Sequence, residues 1–183
     1  MQIPNQVMSN SIYLEYNFYD KESPSFQLMY QKLESSSYIF VPYGHSNQYN
    51  RSNFQSLVSS VVSQQLSGKA ASTIHGRLKE LVGGDINPKT IALQSVENLR
   101  AVGLSGAKTK TILGLTDSVL AGLSIEQLQD FEDAKILKLL TEIWGIGEWT
   151  VHMFMIFQIG HLDIWPTGDL GVRKGWELIH DSR

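Results

Sequence analysis

An all-helical fold is predicted by three observations. Apolar residues recur at spacings of three and four along most of the chain from residue 54 onward, the pattern that paints one stripe on a helix. These runs are broken by Ser/Gly and Gly/Gly steps, as helix ends require. No convincing strand pair with period-two alternation appears.

Taken in order, residues 1–50 are rich in Tyr, Asn and Ser and show weak periodicity, apart from a helix expected around Phe26–Leu33. Phe54, Leu57, Val58, Val61, Val62 and Leu66 then mark a helix expected to run to about Leu66. Ser67 and Gly68 interrupt it, and a second helix over Ala70–Val82 carries Ile74, Leu78 and Leu81 on one side. Ser95 is placed to cap a short helix through Leu99 to Val102, and another is expected over Ala107–Ala121 after the GLSG turn. Ser124 with Gln127 has capping-box spacing for the next. Asp133–Trp144 and Glu148–Gln158 form two helices joined by a short link, and a last helix starts near Asp169. The reading divides the chain into a segment over 1–52 packed on the helical part, and a helical domain over 53–183.

With 183 residues, of which 42% are hydrophobic, the chain is long enough to bury a real core. It contains no cysteine, which excludes disulfides, thiolate zinc sites, iron–sulfur clusters and a thiol nucleophile. No apolar run approaches the ~20 residues of a membrane span, and the first residues lack the basic and apolar parts of a secretory signal, so an intracellular protein without membrane contact is expected. The net charge is −3, yet Arg51 to Leu115 holds eight Lys/Arg against three acids, a local +5 that leaves −8 for the rest. That asymmetry suits a basic face toward a polyanion; chance clustering on solvated helices is the alternative. The five histidines show neither HxH nor HExxH spacing, so no catalytic metal and no cofactor are expected.

The link IWGIGEWTVH, Ile143 to His152, carries the chemistry. Glycine permits positive φ and close backbone approach, so Gly145 and Gly147 around Ile146 allow a tight turn, with Ile146 turned inward to the core. The helix beginning at Glu148 presents amides without intrahelical partners at its positive end. Turn and helix together form a site for one anionic group such as a backbone phosphate, gripped without reading sequence. A plain turn between helices is the alternative.

VVSQQLSGKAA (61–71), NLRAVGLSGAKTKTI (98–112), IWGIGEWTVHMFMIF (143–157) and DIWPTGDLGVRKG (163–175) together resemble the helix-hairpin-helix superfamily of DNA glycosylases, and within it the DNA-3-methyladenine (alkylpurine) glycosylases. The resemblance covers roughly residues 53–180 and only loosely residues 1–50. It implies two helical lobes with the active site in the cleft between them, double-stranded DNA with damaged bases as partner, and action as a monomer. It also implies extrusion of the target base, which costs a few kcal/mol and needs a wedge to fill the gap. The matching stretch makes Leu66 the wedge, flanked by Gln65 and Ser67; an ordinary core leucine is the alternative.

The same resemblance makes Asp169 the catalytic carboxylate, stabilising positive charge on the deoxyribose and orienting or deprotonating water. A helix N-cap is the other reading of Asp169, and the two are compatible. In members that also cut the strand, the position of Trp149 holds a lysine that forms a Schiff base. Tryptophan cannot do so, which implies a monofunctional enzyme with water as nucleophile and an abasic site as product. Trp149, Trp165 and Phe154 are candidates for stacking on a cationic alkylated purine, with core packing as the alternative for each. Lys69, Lys108 and Lys110 are candidate phosphate contacts, beside Gly145, Ile146, Gly147 and Thr150 of the hairpin. The resemblance also allows a monovalent cation on carbonyls near Ile143 and Ile146. Family members continue past the last helix with an aromatic-containing segment that this chain, ending IHDSR, is expected to lack. The rival reading is a non-catalytic protein of the same fold that binds damaged or abasic DNA.

Overall fold

The computed structural model describes residues 11–14, 39–42, 51–161 and 163–180. The chain divides into two units, Met1–Gln48 with Thr167–Arg183, and Tyr49–Pro166.

In the first unit, β1 (Ser11–Leu14) pairs in parallel with β2 (Ile39–Pro42), Ser11 opposite Ile39 and Leu14 opposite Pro42. This corrects the expectation of no strand pair. Four-residue strands are too short to show alternation, and a parallel pair joined through residues 15–38 has no hairpin turn to announce it. The helix expected around Phe26–Leu33 lies outside the described residues.

In the second unit, α1 (Asn53–Ser63) is followed by α2 (Gly68–Leu81), α3 (Pro88–Ala92), α4 (Val96–Ala101) and α5 (Gly106–Leu120). A 3-10 helix over Ile125–Asp130 leads to α6 (Asp133–Thr141). Then comes α7 (Glu148–Phe154), which runs on without a break into a π-helical turn over Met155–Ile159, closed by Gly160 in the left-handed region. The last helix, α8 (Leu170–His180), belongs to the first unit. No helix among the described residues is long and apolar enough to cross a membrane.

Ser95 and Ser105 cap α4 and α5 through their hydroxyls, as N-cap chemistry anticipates. Ser124 makes no capping bond, and the segment after it winds as a 3-10 helix instead. The five-residue α3 escapes periodicity altogether, although Asn87 before Pro88 closes a reciprocal capping box with Thr90.

The second unit is built around α1. Phe54, Leu57, Val58, Val61 and Val62 are all at most 1% exposed and pack with Leu78, Ile112, Leu115, Leu128, Ile136, Leu140, Val151 and Phe154. The end groups of this helix find partners among protein atoms. At the N-terminus, Glu126 accepts from the amides of Asn53 (2.8 Å) and Phe54 (3.1 Å), Ser52 Oγ accepts from Gln55, and the Ser52 carbonyl accepts from Ser56. At the C-terminus, Ser60 and Val61 carbonyls accept from Gln64 N, Ser63 from Leu66 N, and Val62 from Lys108 Nζ at 2.7 Å. A carboxylate thus sits at the positive end of the helix and an ammonium at the negative end, the arrangement that the macrodipole favours.

Removing the carboxylate leaves two helix-end amides without acceptors. Glu126→Ala should therefore lower unfolding free energy by about 2–4 kcal/mol in urea titration, and Glu126→Gln, which keeps one acceptor oxygen, by less. Equal losses would show that the acceptor geometry is irrelevant. A second expectation concerns His75 on α2, whose Nε2 is buried with no hydrogen-bond partner among the described residues. Desolvation, then the charges of Arg51 and Lys79, hold its pKa below the ordinary 6.5. The folded state therefore binds fewer protons than the unfolded one, and the contribution of His75 is complete above pH 6.5 and lost as pH falls toward its folded value. Thermal midpoints measured from pH 7.5 down to 5 should fall more steeply in the native protein than in His75→Leu.

Candidate nucleic-acid interface and catalytic carboxylate

The hairpin between α6 and α7 gives its two glycines different tasks. Gly145 has φ +85°, and a Cβ built there would fall on Thr111 Oγ1 of α5 and lie 3.1 Å from Thr111 Cβ. Glycine is needed at 145 for conformation and for close approach together. Gly147, by contrast, is the N-cap of α7 in extended conformation (φ −92°, ψ 166°), with nothing within 4 Å of a built Cβ. Its openness is toward the outside.

Ile146 is buried in the core, and its amide donates to the Ile143 carbonyl at 3.0 Å. The Ile146 amide is therefore already engaged within the hairpin. Among the described residues no acceptor lies within hydrogen-bond reach of the Gly147, Glu148 or Thr150 N–H groups. Thr150 is buried, and its hydroxyl accepts from Gln64 Nε2 at 3.3 Å.

The turn after α1 reaches the same neighbourhood. Helix α1 stops at Ser63, three residues before the expected Leu66, because Gln64 leaves helical conformation and Gln65 takes φ +56°. A non-glycine residue in that region is uncommon and marks a turn set by its surroundings. Gln65 and Ser67 are exposed, and Leu66 is 39% exposed, so Leu66 is not an ordinary core leucine. Ser67 Oγ caps α2 by accepting from Ala70 N at 3.4 Å, and Lys69 lies exposed in the first turn.

Asp169 stands at the start of α8, in the other unit. Its Oδ1 accepts from Val172 N at 2.9 Å and its carbonyl from Arg173 N, so it serves as the N-cap of that helix. An oxygen fixed by a backbone N–H gives the carboxylate a defined direction, which is what a charge-stabilising group needs.

Residues 58–182 match the family described as HhH-GPD superfamily base excision DNA repair protein. The chain belongs to this superfamily. It is 33% identical over 131 residues to DNA-3-methyladenine glycosylase 1 of Schizosaccharomyces pombe, an alignment covering 69% of this chain and 58% of the relative. It is 30% identical over 133 residues to DNA-3-methyladenine glycosylase of Saccharomyces cerevisiae, covering 67% and 45%. The chain thus spans about half the length of the curated relatives it matches. Similar solved structures include a DNA-3-methyladenine glycosidase from Bacillus halodurans, with TM-score 0.71 and 36% identity over 87% of this chain and 75% of that one. Another is the Schizosaccharomyces pombe 3-methyladenine DNA glycosylase in complex with abasic DNA, with TM-score 0.70 and 27% identity over 87% and 77%.

Within this superfamily member the aromatic candidates separate by exposure. Trp149, in the first turn of α7, is 49% exposed and Trp165 is 59% exposed, so both present ring surface. Phe154 is 2% exposed inside the core, where its ring packs among apolar side chains and offers no face to a base. The expectation of Phe154 as a pocket aromatic is corrected accordingly: its place on the inward side of α7 decides its role.

The lysines separate too. Lys110 Nζ lies 4.2 Å from the ring centroid of Trp144, an exposed hairpin tryptophan. Lys108, expected at a phosphate, donates instead to the carbonyls of Val62 and Gln64, each at 2.7 Å. Burial of its ammonium lowers its pKa. Nothing local in the sequence distinguishes Gln64 from Gln65; only the hairpin brought beside it does.

The glycines yield a contrast in stability. Gly145→Ala should cost at least about 2 kcal/mol in denaturant titration, since both φ and the Thr111 contact oppose it. Gly147→Ala should stay within about 1 kcal/mol of the native protein, because its φ and its surroundings accept a methyl group. Comparable losses in both would contradict the division of tasks.

Proposed function

We propose that this chain is a monofunctional DNA N-glycosylase that acts as a monomer on duplex DNA, hydrolysing the N-glycosidic bond of alkylated purines of the 3-methyladenine and 7-methylguanine type and leaving an abasic site for base excision repair. The observation that carries this reading is the hairpin: amides of Gly147, Glu148 and Thr150 without acceptors among the described residues, followed at 149 by an exposed tryptophan in place of a Schiff-base lysine. The names of the relatives and the abasic-DNA complex of one solved neighbour support it.

The chemistry follows from the residues. The hairpin amides hold a phosphate, assisted by the helix dipole, and Lys69 adds to the sequence-independent attraction. Leu66 fills the space left by the extruded base, with Gln65 and Ser67 alongside. Trp149 and Trp165 stack on the alkylated ring, whose positive charge strengthens contact with an indole face. The bond between C1′ and the base nitrogen breaks with its electron pair going to the base, which leaves as a neutral purine because alkylation had made it cationic. Cationic character on the sugar is stabilised by the Asp169 carboxylate; water adds its oxygen to C1′ and gives up a proton to that carboxylate or to solvent.

Release of labelled 3-methyladenine from methylated duplex DNA by the 183-residue chain tests the reading. Asp169→Asn keeps an N-cap oxygen while removing the charge, so release should fall by on the order of a hundredfold or more with little change in thermal midpoint. Equal release from both proteins would refute the role of Asp169. Tight binding to abasic DNA with no release by the native chain would select the non-catalytic alternative. Separately, Gly147→Ala should weaken binding to any duplex by roughly tenfold, whatever its sequence, because a methyl group blocks close approach of a phosphate.

A further inference from the structure

Two side chains tie down the exposed leucine turn, Lys108 to helix α5 and Gln64 to the hairpin, and neither belongs to the features the proposed function uses. Lys108 Nζ donates at 2.7 Å to Val62 O, a terminal carbonyl of α1, and at 2.7 Å to Gln64 O, the first carbonyl of the turn. Gln64 Nε2 reaches the other way, to Thr150 Oγ1 at 3.3 Å and Gly145 O at 3.4 Å. Gln65 immediately after it is held at φ +56°.

We propose that Lys108 and Gln64 are positioning residues that lock the Leu66 turn to the strand-gripping hairpin, so that the wedge enters the duplex at a fixed register from the gripped phosphate. The inference rests on the proposed DNA-glycosylase reading. Its physical basis is that a left-handed residue in an exposed turn relaxes unless its neighbours over-determine it. Lys108 fixes the backbone on one side of Gln65 through two charge-assisted bonds, the strong class of hydrogen bond, in a partly desolvated setting. The amide of Gln64 then carries that fixed backbone to the hairpin, where Gly145 O and Thr150 lie on either side of the open amides. Lys108 has two of its three N–H groups engaged in this way, which sets it apart from a lysine whose work is to neutralise a phosphate.

The two roles differ in what salt does. A phosphate-contacting lysine, when removed, reduces the salt slope of duplex binding by about one; a positioning lysine leaves the slope unchanged and alters only what the wedge does. The probe is a duplex carrying a tetrahydrofuran abasic-site analogue with 2-aminopurine opposite it, whose fluorescence reports insertion of the wedge. Lys108→Met keeps the stem and removes the donors, Lys108→Arg keeps donors, and Gln64→Leu cuts the tie at its other end while leaving both carbonyls satisfied. Leu66→Ala is the reference for a missing wedge.

Lys108→Met and Gln64→Leu are each expected to retain the native salt slope on undamaged duplex, to lose the fluorescence response as Leu66→Ala does, and to excise base on the order of ten- to a hundredfold more slowly. Lys108→Arg should recover part of the response. Adding Leu66→Ala to Lys108→Met should change little more, because both act through one wedge. A slope reduced by about one in Lys108→Met, a native fluorescence response in Gln64→Leu, or additive losses in the double variant would overturn the proposal. If the native chain binds no duplex at all, the DNA-glycosylase reading fails first and the positioning role falls with it; if it binds and excises but the variants behave as wild type, only the positioning role fails.

Discussion

Helix α1 is the constraint from which the second unit is organised. Phe54, Leu57, Val58, Val61 and Val62 bury one whole face of the helix, and distant charged side chains supply partners for its terminal amides and carbonyls. Glu126 reaches the first turn across 72–73 residues of sequence, and Lys108 reaches the last across 44–46. These distant charges do more than compensate a dipole. They fix where α1 begins and ends, and its end is where the exposed Gln65–Leu66 turn departs.

One helix supports both the Leu66 turn and the glycine hairpin. On α5, Lys108 holds the end of α1, and three residues on, Thr111 sits against Gly145 so closely that no side chain fits there. Residues three apart share a helix face. A single rigid surface therefore sets the leucine turn and the glycine hairpin, and Gln64 closes the arrangement by bonding to Gly145 and Thr150. Under the proposed function, phosphate grip and base extrusion would have to stay in register, since a displacement of about 1 Å can cost on the order of a hundredfold in rate. A turn and a hairpin held on one support would meet that demand without rigid loops.

The hairpin also illustrates how a backbone site stays available. Ile146 turns its side chain into the core and its amide onto the Ile143 carbonyl, and Thr150 is held by Gln64, while Gly147 adds no atoms in front of the amides. Apolar packing supplies the anchoring, so the exposed amides of Gly147 and Glu148 are not needed to hold the hairpin in place. Trp149 follows in the first turn with half its surface accessible. Phe154, one and a half turns later, faces the interior, which shows how helical phase alone separates an aromatic offered to ligand from one committed to the core.

By itself the sequence determined the helical periods, the Ser95 cap, the glycine link and the superfamily, because each is a local pattern or an ordered set of local patterns. It also marked Asp169 as a capping residue, which its bond to Val172 N bears out. It did not reveal the parallel pairing of Ser11–Leu14 with Ile39–Pro42, the early end of α1, the inward ring of Phe154, or the choice of Gln64 over Gln65. Nor did it reveal that Lys108 turns to protein carbonyls. All of these depend on which groups far apart in the chain are brought together. A side chain's partner is decided by the electrostatic and steric needs of its neighbours in space, and only the packed structure creates those neighbours.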